Sequence, residues 1–384
     1  MSVLELIILS VFFLFLGFYF GYFLICLRYS GLRVPATSGS FSEEFLPQIS
    51  FIVPVYNESA MIESRLNNFN RIDYPDGKLE VVFVDGGSND GTVGALENFG
   101  KNVGFALKVL KQGVRRGFNS AVIEGFSQTK GDIIFITGAE TQYASDALRL
   151  IARHFADPKV GAVNGTMRLS NTEAVASTKI ETAYRTFYDF LRNAESKMDT
   201  PFDIKGEIAA ARRSVCQHIV DRKDMLRKGC IDGCFSFQAK EDGLRTIYEP
   251  SAVYYEPAPR SLKESFRQQV RRAATLVQNM FCYKNLMLKS QYGLFGLLIM
   301  PAHFMMLIIL PYLFIFSIFG IGLLVAANPS NLVAVSLVVL GLIGISFSQG
   351  VRAFVKVQIA LVVATFKMMT GIETQKFERL LSAR

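Results

Sequence analysis

Two long apolar stretches lie near opposite ends of the chain. Residues 7–27 carry no charge, and no Asp, Glu, Lys or Arg occurs between Ser290 and Val351. At about 1.5 Å of rise per residue, the first stretch is long enough to cross a bilayer as one helix. Glu5 precedes it and Arg28 follows it, which favours a transmembrane anchor over residues 1–28 rather than a signal peptide. The positive-inside rule then places the next domain in the cytoplasm.

The C-terminal apolar region, residues 291–372, divides into three blocks at 293–326, 331–348 and 353–370. The first block contains prolines and is too long for one untilted span, so either one kinked helix or a tight re-entrant pair is expected. This region therefore predicts three or four crossings. The basic tail, residues 373–384, would lie outside after three crossings and inside after four.

Between these regions the pattern changes to short apolar runs separated by helical stretches. Residues 29–47, rich in Ser, Gly, Thr and Pro, predict a linker, and residues 48–258 predict a folded domain. Four apolar runs predict strands, at Ile49–Val53, Leu79–Val84, Ala106–Leu110 and Asp132–Ile136. Strands that alternate with helices indicate an α/β domain with a mostly parallel sheet, in which ligands bind at the carboxyl ends of the strands.

Residues 259–290 predict an amphipathic helix. Apolar side chains recur at helical spacing from Leu262 to Phe281, while Arg267 and further arginines and glutamines lie away from that stripe. Because an arginine-rich polar face suits anionic lipid, the helix is expected at the membrane interface. An ordinary surface helix packed on the domain is the alternative.

Composition narrows the class of protein further. The formal net charge of +8 is compatible with nucleic acid, anionic lipid or a phosphorylated substrate. No nucleic-acid-binding motif is present, so nucleic acid is not an expected partner. The five cysteines show no disulfide or zinc spacing, which fits a reducing compartment. The three histidines are scattered, which argues against a metal site built on histidine.

Two polar motifs follow consecutive predicted strands. Pro54-Val-Tyr-Asn-Glu58 comes after the first strand, and Asp85-Gly-Gly-Ser-Asn-Asp-Gly-Thr92 comes after the second. Glycines let the backbone approach a ligand closely, and a carboxylate accepts hydrogen bonds from a ribose or a base. Either motif alone would fit a structural turn. Together, at neighbouring strand ends, they predict a nucleotide site.

These motifs, in their order and spacing, resemble the membrane-bound family 2 glycosyltransferases with the GT-A fold, over roughly residues 48–275. The resemblance implies a Rossmann-like α/β catalytic domain flanked by transmembrane helices, and a nucleotide-diphosphate sugar as substrate. The segment Gly117–Phe126 is similar to one in polyprenyl-phosphate sugar transferases. The residues implied in donor binding are Pro54, Tyr56 and Glu58 at the nucleoside, Asp85 at the base or ribose, and Gly87, Ser88 and Asp90 in the same loop.

The family's metal-binding D-x-D motif is degenerate here. Its position reads Thr137-Gly-Ala-Glu140, so Gly138 replaces the first aspartate and Glu140 the second. Glu140 is still a hard oxygen ligand suited to Mg²⁺ or Mn²⁺. The resemblance therefore implies a divalent cation that is held weakly or mainly through the diphosphate. Complete loss of metal binding is the alternative.

The resemblance also implies catalytic residues. Asp232 lies eleven residues before Gly243, the spacing at which the family places its general base in a T-E-D-like motif. Gln268-Gln-Val-Arg-Arg272 is similar to the family's Q-x-x-R-W motif. It implies that Gln268 and Arg271 meet the donor diphosphate, and Arg272, in place of Trp, would contact acceptor or lipid headgroup. Glu207, before an Arg-Arg pair, would touch the acceptor or the sugar, and a surface salt bridge is the alternative.

The predicted activity is inverting hexosyl transfer from a nucleotide sugar to a hydroxyl of a lipid or lipid-linked acceptor at the cell membrane. Two enzymatic alternatives remain, a polyprenyl-phosphate sugar synthase and a polysaccharide synthase. The missing Trp at position 272 is unfavourable for the latter. A non-enzymatic alternative is an inactive subunit that binds nucleotide sugar. Gly138 supports that reading, and Asp232 with Arg271 opposes it.

Overall fold

The computed structural model describes residues 2–32, 45–170, 176–204, 206–222, 230–257, 259 and 261–370. The predicted basic tail and most of the predicted linker lie outside these residues. The described strands are β1 Ile49–Val55, β2 Leu79–Asp85, β3 Ala106–Lys111, β4 Ile133–Ile136, β5 Gln142–Tyr143, β6 Val160–Leu169, β7 Ala210–Arg212 and β8 Arg245–Glu256. They form one eight-stranded sheet in the order β3-β2-β1-β4-β7-β6-β8-β5.

Twelve helices accompany the sheet in the described part of the chain. The first seven are α1 Val3–Ser30, α2 Ser59–Asn70, α3 Thr92–Phe99, α4 Phe118–Ser127, α5 Ala147–Ala152, α6 Ala176–Met198 and α7 Arg213–Asp221. The remaining five are α8 Phe235–Glu241, α9 Leu262–Cys282, α10 Phe295–Ala327, α11 Leu332–Phe347 and α12 Gln349–Met369. This architecture confirms the predicted α/β domain between apolar terminal helices.

The four predicted strands are present and pair in parallel, β1 with β2 and β4, and β2 with β3. Strand β1 does not end at Pro54, as the sequence suggested, but continues to Val55. The Val55 carbonyl still accepts a hydrogen bond from the Gly86 N–H at 2.9 Å, so pairing extends past the proline. Asp85 is therefore the last residue of β2, at the edge where a ligand would bind.

The second half of the sheet contains the antiparallel pairs, so the sheet is mixed, with six of its eight strands running in one direction as predicted. Strand β7 runs antiparallel to both β4 and β6, and β5 runs antiparallel to β8, while β6 and β8 are parallel. Strand β8 is twelve residues long and contains Pro250. Its pairing with β6 shifts register between Asn164 and Thr166, opposite the proline-containing stretch of β8. An irregular strand of this kind has no regular alternation for sequence analysis to detect.

One apolar core joins the sheet to the membrane helices. It contains Ile52 of β1 and Val84 of β2 on one face of the sheet, and it continues through Phe15 of α1 and Phe314 of α10. The rings of Phe15 and Phe314 lie 5.3 Å apart. A second core fills the opposite face of the sheet, under α2 and α5. The catalytic domain and the apolar helices are therefore packed as one body on the first face.

The long apolar block 293–326 is one continuous helix, α10, and not a re-entrant pair. Two π-helical turns, Phe295–Ile299 and Met305–Ile309, come shortly before Pro301 and Pro311. Proline lacks an N–H and clashes with the preceding turn, and a wider π turn accommodates both effects. The kinked-helix alternative is therefore the one that the structure adopts.

Helices α1 and α10 are the two in the described chain that are long and apolar enough to cross a membrane. The pair α11–α12 bends by 107°, and it makes a third candidate if it counts as one span. Ala360 and Ala364 of α12 pack against Val270 and Ala274 of α9. The predicted block 353–370 thus lies against the helix that follows the catalytic domain. These apolar helices associate the protein with a membrane.

A buried carboxylate ties the domain to both candidate spans. Glu195 of α6 is 1% exposed. It accepts hydrogen bonds from the Tyr22 hydroxyl of α1 at 2.7 Å and from the Phe202 N–H at 2.9 Å, and His303 Nε2 of α10 lies 2.6 Å from its Oε1. The Phe202 ring stacks on His303 at 4.1 Å. The relative position of the three helices therefore depends on this one side chain.

We expect Glu195→Leu to lower the free energy of unfolding by about 3–5 kcal/mol, because it leaves the buried Tyr22 and His303 without their shared partner. The measurement is chemical unfolding of the detergent-solubilised protein. Glu63→Leu, the same change at an exposed position of α2, is the control and should change stability by less than about 0.5 kcal/mol. Equal effects of the two variants would contradict the role given to Glu195.

Candidate active site

The two predicted donor motifs form adjacent loops at the carboxyl edge of the sheet. The Asp85 carboxylate accepts hydrogen bonds from the N–H of Gly87 at 3.0 Å and from that of Ser88 at 3.1 Å. Gly87 has a φ of +85°, and a Cβ there would lie 2.7 Å from the Gly113 carbonyl oxygen. Only glycine fits this position, so the loop after β2 is fixed tightly against the loop after β3.

Ser88 and Asp90 hold the two donor loops together. The Ser88 hydroxyl accepts a hydrogen bond from the Asn57 N–H at 2.7 Å, and the Asp90 carboxylate accepts one from the Ser59 N–H at 3.2 Å. Desolvation raises the pKa of Asp90, but hydrogen bonds from Thr92 and Ser59 outweigh it and keep the pKa below its usual value. These contacts indicate that both predicted donor residues position the loops.

An arginine that sequence analysis did not single out completes this region. The Arg115 guanidinium lies over the Tyr56 ring, 4.5 Å from its centroid, on an exposed loop after β3. Pro54 and Glu58, predicted at the nucleoside, are half-buried on either side of Tyr56 in the chain. The sequence does contain a signal for Arg115, because it is one of two consecutive arginines that follow β3 and precede Gly117. Guanidinium groups bind phosphate oxygens, so arginines at a strand end indicate a phosphate site.

The loop that holds Glu140 is anchored from beneath by a buried arginine. Arg65 of α2 is 0% exposed, and it donates hydrogen bonds to the Thr141 carbonyl at 2.5 Å and to the Thr137 hydroxyl at 3.2 Å. A Cβ at Gly138 would lie 2.7 Å from Glu140 Oε2. The Glu140 carboxylate therefore occupies the space that a side chain at position 138 would need.

Few carboxylates are available here for a divalent cation. Within the described ranges, no group of three or more His, Cys, Asp or Glu side chains is placed to share a metal ion. Glu140 alone is half-buried at the D-x-D position. One hard carboxylate fits a cation that takes its other ligands from diphosphate oxygens and water. The residues do not fit a cation bound by protein alone.

Asp232 lies in a confined position beside Gly206. It begins the short turn Asp232–Cys234 that leads into α8, and a Cβ at Gly206 would fall 1.7 Å from Asp232 Oδ2. The Cys230 thiol donates a hydrogen bond to Asp232 Oδ1 at 2.7 Å. The Cys230 N–H in turn donates to Asn279 of α9 at 3.1 Å. Gly206 and the Cys230 thiol thus fix the orientation of this carboxylate.

The environment of Asp232 brings its pKa closer to neutral pH. Burial raises the pKa of Asp232 to about 6, a shift that the Cys230 hydrogen bond opposes and the charge of Glu207 reinforces. Burial and the Asp232 charge raise the pKa of Cys230, so the thiol stays protonated and remains a donor. A carboxylate whose pKa lies near the working pH is suited to accept a proton.

Arg271 faces the same region from helix α9. Burial and the neighbouring Arg272 lower the pKa of Arg271, while Cys230, Glu207 and Glu256 raise it. The Arg271 guanidinium therefore lies near Cys230, Glu207 and Glu256.

Glu207 and Gln268 complete the set of predicted site residues. The Glu207 carbonyl accepts a hydrogen bond from the Tyr143 hydroxyl. The charge of the Glu207 carboxylate contributes to the raised pKa of Asp232. Gln268 is half-buried one turn before Arg271, on the same helix face.

Arg272 does not face lipid headgroups, contrary to one of the two roles predicted for it. Its Nη1 lies 3.5 Å from Glu181 Oε1 of α6. Burial opposes protonation of Arg272, but the charges of Glu256 and Glu181 raise its pKa above the usual value. Helix α9 turns its apolar side toward α12, so the residue next to Arg271 is directed into the domain. The expected interfacial position of α9 stays a prediction.

Comparisons with known proteins agree with this geometry. Residues 50–220 match the family described as Glycosyl transferase family 2. The solved mannosyltransferase PcManGT from Pyrobaculum calidifontis, in complex with GDP-Man and Mn²⁺, superposes with a TM-score of 0.82 at 26% identity, covering 97% of this chain and 100% of that one. The chain therefore has the GT-A fold of glycosyltransferases.

Two curated relatives add to this assignment. The chain is 28% identical to an N-acetylglucosaminyltransferase of Rhizobium sp. (strain N33) over 62% of this chain, and to the poly-beta-1,6-N-acetyl-D-glucosamine synthase of Staphylococcus aureus (strain COL) over 70%. It covers 55% and 62% of those relatives' own lengths. Residues 50–220 are thus similar to a glycosyltransferase family 2 domain, and the substrates of this chain are inferred below.

We expect kcat/KM for sugar transfer to rise with pH through about 6, because a base with this pKa is ionised only above it. Cys230→Ala removes a donor to the carboxylate, raises the pKa of Asp232 and should move the acid limb upward by roughly 0.5–1 pH unit. Cys282→Ala, at the far end of α9, should leave the profile in place. A profile unchanged in Cys230→Ala would contradict the assignment.

Proposed function

We propose that this protein is an inverting hexosyltransferase that moves a sugar from a nucleotide-diphosphate donor to a hydroxyl of a lipid or lipid-linked acceptor. The observation that supports it best is the fixed, half-buried Asp232, whose pKa of about 6 suits a general base. A hydroxyl acceptor needs such a base, whereas a phosphate acceptor is already ionised. The polyprenyl-phosphate alternative would leave this environment of Asp232 unexplained.

In this mechanism the donor nucleotide lies along the carboxyl ends of β1 and β2. Tyr56 and Asp85 contact the nucleoside, and Arg115, stacked on Tyr56, neutralises phosphate charge. Gly87 brings the backbone close to the ligand. Ser88 and Asp90 act indirectly, because they join the two loops.

The chemical step needs one proton acceptor and one group that stabilises the leaving nucleotide. The acceptor hydroxyl attacks the anomeric carbon, its proton passes to Asp232, and the bond to the diphosphate breaks on the opposite face of the sugar. Arg271, with Gln268 one turn away, stabilises the charge that grows on the diphosphate. Displacement from the opposite face inverts the anomeric configuration.

A divalent cation, Mg²⁺ or Mn²⁺, would be held by Glu140 and the diphosphate, and would supply further charge neutralisation on the leaving group. The related mannosyltransferase structure contains Mn²⁺. Because Gly138 offers no carboxylate, affinity for the free cation should be low until the donor binds.

The bilayer is the second partner in this proposal. Helices α1 and α10 would cross the cell membrane with the catalytic domain on the cytoplasmic side, where nucleotide sugars are available. The apolar core shared with these helices keeps the site close to the membrane. An acceptor with an acyl chain can then stay in the bilayer while its head group reaches Asp232.

A polysaccharide synthase is the second candidate. The curated similarity to the poly-beta-1,6-N-acetyl-D-glucosamine synthase favours it. Arg272 in place of Trp, paired with Glu181, opposes it. Sizing the products of the purified protein, supplied with labelled UDP- and GDP-sugars, separates the two candidates. A single added sugar supports the first, and a ladder of products supports the second.

We expect Asp232→Asn to lower the turnover of sugar transfer by about 100-fold or more while donor KM changes little, because the amide cannot accept the proton. Initial rates with purified protein in lipid nanodiscs are the measurement. Asp242→Asn is the matched control, since Asp242 contacts His218 at 3.0 Å away from the site. Near-normal turnover of Asp232→Asn would instead favour a phosphate acceptor.

Removal of divalent cations with EDTA should stop transfer, and Mg²⁺ or Mn²⁺ should restore it. Glu140→Gln removes the one protein carboxylate and should raise the cation concentration for half-maximal rate by about tenfold. Glu63→Gln, exposed on α2, should have no such effect. Full activity in excess EDTA would exclude the cation from the mechanism.

A further inference from the structure

The side chain of Glu140 folds back over a residue of its own motif. A Cβ at Gly138 would lie 2.7 Å from Glu140 Oε2, 3.0 Å from its Cδ and 3.2 Å from its Oε1. Non-bonded heavy atoms are most stable at about 3.5–4.0 Å, so the whole carboxylate lies where a side chain at 138 would begin. The carboxylate can therefore keep this position only while residue 138 is glycine.

The backbone of this loop is held on both sides of the glycine. The Thr137 N–H donates a hydrogen bond to the Ile52 carbonyl of β1 at 3.1 Å. The Thr137 hydroxyl and the Thr141 carbonyl both accept hydrogen bonds from the buried Arg65 guanidinium, at 3.2 and 2.5 Å. Because the backbone is fixed at these points, a side chain added at the glycine would displace the flexible glutamate side chain and leave the loop in place.

Helix α2 strengthens this anchor with a second polar side chain. The Asn68 amide donates a hydrogen bond to the Tyr143 carbonyl and accepts one from the Tyr143 N–H, both at 2.9 Å. Burial lowers the pKa of Arg65 to about 10, while Tyr143 and Glu140 oppose this change. The guanidinium therefore stays charged at neutral pH, with the Glu140 carboxylate among the groups that stabilise its charge.

The length of the glutamate side chain matters for this arrangement. Glutamate is one methylene longer than aspartate, and the extra methylene lets its carboxylate extend from position 140 to the space over Gly138. An aspartate at 140 would keep its carboxylate nearer to its own backbone and would leave that space open. The absent side chain at 138 and the longer side chain at 140 therefore compensate each other.

We propose that Gly138 and Glu140 form a compensated pair, in which the bare backbone at 138 lets the longer carboxylate at 140 act as the single protein ligand of the divalent cation. This inference rests on the proposed function, because it concerns the cation that Glu140 and the diphosphate would hold. Gly138 is a positioning residue, since it acts through Glu140. A side chain at 138 weakens the cation site even when it carries a carboxylate of its own.

The test measures binding of Mn²⁺ itself. The full chain in lipid nanodiscs is titrated with Mn²⁺ in the presence of UDP or GDP, and free Mn²⁺ is followed by electron paramagnetic resonance. Gly138→Ala removes no ligand, yet it should raise the Kd for Mn²⁺ about tenfold, because it displaces the carboxylate. Gly77→Ala is the matched control and should keep the wild-type Kd. Gly77 is exposed just before β2, with no atom within 4 Å of its Cβ position.

A second set of variants separates a displaced carboxylate from a damaged loop. In the Glu140→Asp background, Gly138→Ala should have little further effect, because the shorter carboxylate does not reach position 138. Gly138→Asp should raise the Kd in the wild-type background, where it displaces Glu140. The same substitution should lower the Kd in the Glu140→Asp background, where two short carboxylates fit side by side. This rescue requires a folded protein, so it also shows that the loop tolerates a side chain at 138.

Three results would each overturn the inference and leave the cation in the mechanism. They are an unchanged Kd in Gly138→Ala, an equal effect of Gly138→Ala in both backgrounds, and tighter Mn²⁺ binding by Gly138→Asp alone. A wild type that binds no Mn²⁺ with either nucleotide would instead overturn the cation step of the proposed function, and the inference with it.

Discussion

A charge buried among apolar helices must be paired, and the pairing of Glu195 fixes how this protein is assembled. Its carboxylate meets Tyr22 of α1 and His303 of α10, while its own helix, α6, belongs to the catalytic domain. Leaving any of these groups unpaired would cost several kcal/mol, on the order of 3–5. The catalytic domain therefore packs on the apolar helices in one orientation. This contact fixes the position of the active site relative to those helices.

Helix α9 then links the membrane side to the chemistry. Three of its faces meet different surroundings: Arg271 faces the region of Asp232, Arg272 pairs with Glu181, and Val270 packs on α12. Because a helix turns by about 100° per residue, these neighbours in sequence diverge in space.

The carboxylates near the site have different roles, because their surroundings shift their pKa values by different amounts. Asp232 is held by a thiol and a glycine and has a pKa of about 6. For Glu256, which is more deeply buried, burial and the charge of Glu207 raise the pKa, although Arg272 opposes the rise. An ionised group suits proton removal, and a protonated one suits hydrogen bonding to a hydroxyl. This division supports a hydroxyl acceptor.

The sequence by itself determined the features that rest on local pattern. Apolar runs located both terminal membrane regions and the first four strands, and a spacing of eleven residues singled out Asp232 as the candidate base. Only the tertiary structure decided that α10 is one continuous helix and that β7 makes the sheet mixed. It also directed Arg272 inward and brought Arg115 onto Tyr56. The physical reason is that periodicity reports which residues are buried, whereas pairing between distant segments depends on which surfaces meet after folding. Asp232 and Gly206 show this limit, because these two positions come into close contact only when the chain between them folds.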